Sequence, residues 1–152
     1  MPVVSMTNLD LLTFSLFLLV IYVLLKATSR KRTVRHRSRP KATESAYCIR
    51  VIDGDTIEVV VNGKVERVRY IGMNAPEIGE SGFHAATEAN RQLVAGRTIT
   101  MQRDKTDRDK YGRLLRYVWV GKTFVNAKLV RMGKATVMVV APNVRRIQEI
   151  AG

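Results

Sequence analysis

Residues 46–152 predict a mainly β domain with packed helices, an α+β fold built on a five-stranded barrel. Three observations predict it. Short β-branched runs recur with tight turns between them. The first three runs lie close enough along the chain to pair as antiparallel neighbours. One helix-patterned stretch then separates them from two further runs, an order that suits a barrel better than a parallel α/β sheet. No internal repeat is visible.

The elements follow in order. "YCIRVI" and "TIEVVV" are the first two strands. Asn62-Gly63 stands between the second run and a third, a strong hairpin signal of type I′. Val65, Val68 and Tyr70-Ile71 carry the return strand. "FHAATEANRQLVAG" reads as a helix, because Ala85, Ala89 and Leu93 recur at four-residue spacing and Gly96 supplies a C-cap. "RTITMQR" is a fourth strand and "RLLRYVWV" a fifth. "KTFVNAKLVRMG" is a second helix, closed by Gly133. "ATVMVV" is extended, and "NVRRIQEIAG" after Pro142 reads as the opening turns of a third helix.

Two segments precede the domain. Leu11 to Leu25 carries no charge. At ~1.5 Å per residue it spans ~22 Å, short of a ~30 Å hydrocarbon core. Extension to residues 9–27, with Asp10 and Lys26 snorkelling, nearly closes the gap. A transmembrane anchor is therefore expected over 9–27. A cleaved signal peptide fits less well, since no Lys or Arg precedes the run and no clear small-x-small site follows it. A buried helix fits worst, because a basic stretch separates it from the domain. The positive-inside rule puts the domain on the cytoplasmic side; the alternative is a secreted or extracytoplasmic domain. Residues 28–45 are polar and basic with no apolar period, and read as a disordered linker. That linker suits anionic headgroups or nucleic acid, or serves only as a topology signal and spacer.

Charge points the same way. The chain of 152 residues has a net charge of +13, and residues 26–41 hold eight Lys and Arg with no acid. After Lys41 there are 18 basic and 12 acidic residues. A basic chain suits polyanions or an anionic surface. Cys48 is the only cysteine, so an intramolecular disulfide is excluded.

The polar residues that need explaining lie at strand ends. In "VIDGDT", Asp53 and Asp55 flank Gly54, and the DG pair alone reads as a turn. Asp55 directly precedes the second strand, so its carboxylate can sit at a sheet mouth. Counting by two, Arg69 shares a face with Val65 and Ile71, an odd place for a cation unless it snorkels at a barrel rim. "NAPE" then ends the strand: Asn74, the Ala75 carbonyl and Glu77 are all oxygen donors. Oxygen donors without a His or Cys cluster suit a hard cation, Ca²⁺ or Mg²⁺, rather than zinc. Arg113 opens the fifth strand just after a Tyr111-Gly112 turn, with Arg108 and Lys110 reading as surface charges of the same loop. His36 and His84 have no partner in these blocks and read as ordinary surface residues.

Together "VIDGDT", "RYIGMNAPE" and "TDRDKYGRLLRYVWV" resemble the thermonuclease family, the staphylococcal nuclease-like proteins, in order and in spacing. "FVNAKLVRMGKA" is similar to that family's second helix, and the resemblance covers about residues 47–150. It implies an OB-fold barrel with packed helices. It also implies a Ca²⁺-dependent nuclease that cleaves DNA and RNA with little sequence preference, and no obligate protein partner is expected. By the same resemblance, Asp55, Asn74 and the Ala75 carbonyl are the metal positions. Glu77 orients or deprotonates the attacking water, and Arg69 and Arg113 grip the phosphodiester. Lys110 and Tyr111 lie near a terminal phosphate, although packing at the turn explains Tyr111 about as well. A non-catalytic nucleic-acid-binding module on the same barrel is the competing expectation.

Three departures from the family pattern stand out. Asn74 replaces a second aspartate ligand, which predicts weaker metal affinity. Met138 and Val140 stand where tyrosines pack on the base, which predicts binding that leans on charge and is salt-sensitive. The last helix runs further in the family, so either the sequence is a fragment or this helix is short and the domain less stable.

Overall fold

The computed structural model describes residues 43–152, together with Leu16, Leu18, Leu19, Ile21 and Tyr22. Those five residues are helical and exposed. The span expected over 9–27 otherwise lies outside the described residues, as does the linker from 28 to 42. Among the described residues no helix is long and apolar enough to cross a membrane.

The domain begins with β1 (Thr43–Val51), β2 (Thr56–Val61), β3 (Lys64–Tyr70) and a short β4 (Met73–Asn74). Helix α1 (Phe83–Val94) leads to β5 (Thr98–Gln102), β6 (Leu114–Val120) and β7 (Thr123–Phe124). Helix α2 (Val125–Arg131), β8 (Thr136–Val137) and helix α3 (Ile147–Ala151) complete it. The sheet order is β3-β2-β1-β5-β6-β7. A parallel pairing of β3 with β6, Arg69 opposite Leu115, closes the sheet on itself. The closed part is the expected five-stranded OB barrel, made of β1, β2, β3, β5 and β6.

β1 turns the barrel's corner. Thr43–Tyr47 pair with β5, and Tyr47–Val51 pair with β2 across a bulge between Cys48 and Arg50. A bulge bends a strand and raises its twist, which lets one strand serve two neighbours. Thr43–Ser45 therefore belong to this strand and not to the linker expected over 28–45. The hairpin at Asn62-Gly63 has positive φ at both residues, 51° and 74°, as type I′ requires. Inside the barrel, Cys48, Ile57, Val59, Val68, Met101 and Val118 are fully buried. A second apolar cluster lies outside it, where Ile71 and Tyr117 meet Ala127 of α2 and Ile150 of α3.

The second helix is shorter than its sequence pattern. Thr123–Phe124 pair with the end of β6, and the Phe124 ring stacks on Trp119 at 4.5 Å, so helix begins only at Val125. Of the extended "ATVMVV", Thr136–Val137 form β8, which pairs with β4. That two-residue ribbon fixes the backbone of Asn74 opposite Thr136.

Candidate active site

The Asp53–Asp55 turn is clamped from several directions. Asp53 Oδ1 accepts the Asp55 N–H at 2.9 Å, closing a local side-chain turn. Asn90 of α1, itself fully buried, donates to the Asp53 carbonyl and accepts from the Tyr70 hydroxyl. Tyr70 N–H donates to the Asp55 carbonyl. Asp53 is thereby a turn residue beside the site, as its sequence position implies. Gly54 explains how the turn packs. A Cβ there would lie 2.5 Å from the Ala75 Cβ and 2.8 Å from the Ala86 Cβ. Only a residue without a side chain lets the turn sit this close to the "NAPE" strand and to α1.

Asp55 is buried and held at both oxygens. Oδ2 accepts the Ala75 N–H at 2.8 Å and lies 2.9 Å from Arg69 Nη1, and Oδ1 accepts the Thr56 hydroxyl at 3.1 Å. Burial pushes this carboxyl up to about 6. The Arg69 guanidinium and the Ala75 N–H pull the other way, the Asp53 charge adds to the rise, and the Thr56 hydroxyl also opposes it. Arg69 is no rim residue. It is 8% exposed, and its Nη1 also donates to the Tyr70 and Met73 carbonyls at 3.1 and 3.0 Å. Its Nη2 donates to Asn74 Oδ1 at 2.7 Å. One guanidinium thus ties together Asp55, Asn74 and the loop between them.

Arg69 also reaches a second feature. A groove of about 360 Å³ is lined by Arg69, Lys110, Tyr111 and Arg113, with Met138 and Val140 on its apolar side. The closure of β3 against β6 brings these residues together. Arg113 stands just before β6, beside the β3 end that carries Arg69. Asp109 holds Arg113. Its Oδ1 accepts the Tyr111 and Arg113 N–H groups at 2.9 and 3.0 Å, and its Oδ2 accepts Arg113 Nε at 2.7 Å. Burial raises the Asp109 carboxyl, but these bonds outweigh it and leave the group below its ordinary range. The Arg113 side chain binds Asp109 through Nε, and among the described residues its two terminal nitrogens have no hydrogen-bond partner and remain for a ligand. The Tyr111 ring carries Lys110 Nζ at 5.0 Å and the Arg113 guanidinium at 5.4 Å. Arg108 lies outside this group, paired with both oxygens of Glu66 at 2.8 Å.

Glu77 sits apart from the groove's lining. It is exposed, its N–H donates to Glu80 Oε2 at 2.7 Å, and its carboxylate has no partner among the described residues. The structure thus brings together Asp55, Asn74, Ala75 and Arg69 as one cluster. Arg69, Lys110, Tyr111 and Arg113 form a second group, and Glu77 lies two residues beyond the first. The positions expected to hold a metal supply only oxygens: a buried carboxylate, an amide and a backbone carbonyl. Among the described residues there is no group of three His, Cys, Asp or Glu able to hold a metal. Oxygen donors of this kind suit a hard cation, and here Asp55 Oδ2 and Asn74 Oδ1 face the Arg69 guanidinium.

Two functional residues escape a sequence reading. Asp109 looks like one more charge in a charged loop, although an Asp two residues before Tyr-Gly is a turn signal. Asn126 looks like a helix-surface amide. It is fully buried; its Oδ1 accepts the Val118 N–H and its Nδ2 donates to the Ile71 carbonyl, each at 2.9 Å, tying β6 to the end of β3. An amide inside the apolar run Val125–Leu129 is the signal that could have found it.

Barrel, clamped carboxylate–arginine pair and cationic groove define a nuclease-type OB domain. The chain belongs to the staphylococcal nuclease homologue family, which it matches over residues 67–151. It is 38% identical over 117 residues to the thermonuclease of Staphylococcus hyicus, a match covering 72% of this chain and 69% of that one. It is 36% identical over 130 residues to endonuclease YncB of Bacillus subtilis (strain 168), covering 80% and 62%. A third relative, the thermonuclease of Staphylococcus intermedius, is 37% identical over 106 residues, covering 66% and 63%. The chain thus spans less than two thirds of the last two. A contiguous match over 80% of the chain necessarily takes in Asp55 and Arg113, although the family match begins after Asp55. The domain is of the phosphodiesterase/endonuclease class of hydrolases, in a family that is metal-dependent.

Proposed function

We propose that the protein is a membrane-anchored, Ca²⁺-dependent nuclease that hydrolyses phosphodiester bonds of DNA and/or RNA with little sequence specificity. The observation that carries this reading is the convergence of Arg69 and Arg113 on one groove, with Arg69 seated against Asp55. A phosphodiester is an anion, and its transition state gathers charge on the equatorial oxygens. Two guanidinium forks answer that charge bidentately, as lysines cannot. Arg69 is prepositioned by four acceptors and Arg113 by Asp109, so little reorganisation is needed when charge develops. Glu77, exposed and with a carboxylate unpaired among the described residues, takes the proton of the attacking water. Lys110 and Tyr111 hold a neighbouring phosphate. Asp55, Asn74 and the Ala75 carbonyl would hold Ca²⁺, which when bound compensates phosphate charge. Met138 and Val140 offer the base an apolar wall and no ring to stack on.

The membrane part of the proposal rests on the uncharged run Leu11–Leu25 and the basic residues after it. By the positive-inside rule the domain faces the cytoplasm. A leader cleaved after the apolar run would make it extracytoplasmic instead.

The test is cleavage of single-stranded and plasmid DNA and of RNA by the full chain in detergent, with Ca²⁺ and with a chelator. Glu77→Gln runs alongside, with circular dichroism on both. Ca²⁺-dependent cutting that falls ~10²–10⁴-fold in Glu77→Gln supports the enzyme. Folded protein that binds nucleic acid and never cuts it, in Ca²⁺ or in another divalent ion, refutes it in favour of a binding module. Asn74→Asp adds a ligand charge and is expected to tighten Ca²⁺ binding.

A further inference from the structure

We infer that Arg67 is a further substrate-binding residue, which holds the phosphate of a polynucleotide strand next to the one gripped by Arg69 and Arg113. The inference rests on the nuclease reading and deepens it: the site is built for a strand longer than a dinucleotide. Tyr111, 71% exposed, stands between two clefts. On one side is the groove that holds Arg69 and Lys110. On the other is a cleft of about 520 Å³ lined by Arg67, Tyr111, Gly112 and Arg113. Tyr111 and Arg113 line both, so the two spaces adjoin at these residues.

The second cleft has the chemistry of an anion site. Its four lining residues supply two guanidiniums and no carboxylate. Arg67 touches Glu58 through Nε only, at 3.2 Å, which leaves both terminal nitrogens without a partner among the described residues. Glu58 itself is shared with Arg50, whose Nε and Nη2 approach at 2.9 and 2.8 Å, so two cations face one anion. The Arg67 side chain is 63% exposed and can swing. Arg67 and Arg69 lie on one face of β3 two residues apart, a step of ~6.6 Å. That step is on the scale of the distance between successive phosphates of an extended single strand. A strand that enters the groove beside Lys110 can pass Tyr111 and set its next phosphate on Arg67. If Arg67 were only the cross-strand partner of Glu58, its removal would leave binding unchanged.

The test measures anisotropy of a labelled single-stranded oligonucleotide of about 12 nucleotides, within the usual span of such folds. The full chain is held in detergent with a chelator to prevent cutting, across a salt series. A dinucleoside monophosphate serves as a one-phosphate competitor. Arg67→Gln is expected to weaken oligonucleotide binding about three- to tenfold and to flatten the log–log salt slope by about 0.7, one single-strand phosphate contact. Its affinity for the dinucleoside monophosphate should be unchanged. Glu58→Gln, which frees Arg67, should shift oligonucleotide binding the other way. Circular dichroism confirms that both variants fold. Wild-type slope and affinity in Arg67→Gln, or an equal loss for both ligands, overturns the inference. Because binding is read without cleavage, a chain that never cuts sinks the nuclease reading alone, and the salt slope still decides Arg67.

Discussion

Gly54→Ala is the sharpest probe of how the site is built, because one methyl group meets two backbone-anchored neighbours. The new Cβ would stand 2.5 Å from the Ala75 Cβ and 2.8 Å from the Ala86 Cβ. Ordinary carbon contacts lie at ~3.5–4.0 Å. Neither alanine can rotate its methyl away, so a backbone must move by about 1 Å. Overpacking of this kind costs ~1–3 kcal/mol. The functional cost is larger than the stability cost. Ala75 N–H holds Asp55 Oδ2 at 2.8 Å, and a shift of that size takes the bond past its ~3.2 Å working limit. A ~1 Å misplacement costs ~10² in rate. Urea denaturation and plasmid cleavage read the two effects separately. A second change locates the strain. Ala75→Gly removes the tighter contact, whereas Ala86→Gly removes the looser one and weakens a helix by ~1 kcal/mol. Gly54→Ala/Ala75→Gly should therefore recover more stability than Gly54→Ala/Ala86→Gly. An unchanged urea midpoint with unchanged cleavage in Gly54→Ala, or better rescue by Ala86→Gly, would refute the reasoning.

Three further outcomes follow from single residues. Asp109→Asn keeps an oxygen for the Tyr111 and Arg113 N–H groups and loses the charged acceptor for Arg113 Nε, so cleavage should fall far more than the modest drop in urea midpoint accounts for; a fall in cleavage no larger than the lost stability explains would refute the positioning role. The Asp109 carboxyl is held below its ordinary range, so what it contributes to stability is complete above about pH 4 and lost only as pH falls through its lowered value, which an acid titration of wild type against Asp109→Asn would reveal. Asn126→Ala leaves the Val118 N–H and the Ile71 carbonyl buried without partners, and should cost ~2–5 kcal/mol in urea denaturation for the two groups. Burial pushes the Cys48 thiol up to about 11 and leaves it no exposed surface, so a thiol reagent at pH 8 should react with it only in denaturant.

The barrel was legible in the sequence because its signals are local. A strand of β-branched residues, an Asn-Gly hairpin and a helix period each declare themselves within a dozen residues. What the sequence pattern misplaces is set by partners elsewhere. Thr43–Ser45 look like polar linker, and become strand only because β5 lies alongside. Thr123–Phe124 look like the start of a helix, and are drawn into sheet by the open edge of β6 and the Trp119 ring. The site divides in the same way. Motif order marks Asp55, Asn74, Ala75 and Arg69, and the structure brings those four into contact. It is silent on Asn90 and Asn126, each of which has a partner far along the chain, 37 and 55 residues away.

Arg69 and Arg113 look alike as motif residues, but their surroundings make them unequal as probes. Arg69 is the buried counter-charge of Asp55 and also holds the Tyr70 and Met73 carbonyls. Removing it leaves a desolvated carboxylate without its cation, which costs ~3–5 kcal/mol. Among the described residues Arg113 has one acidic partner, and both its terminal nitrogens are free of protein acceptors, so its loss should cost less stability than the loss of Arg69. Arg69→Gln should therefore lower both the urea midpoint and the cleavage rate, while Arg113→Gln lowers the rate with a much smaller change in midpoint. An inactive Arg69 variant is thus ambiguous between a lost phosphate contact and a collapsed ligand loop. An inactive Arg113 variant that keeps most of its stability has only the first explanation. Equal stability losses in the two would mean that the Asp55–Arg69 pair does not organise this site.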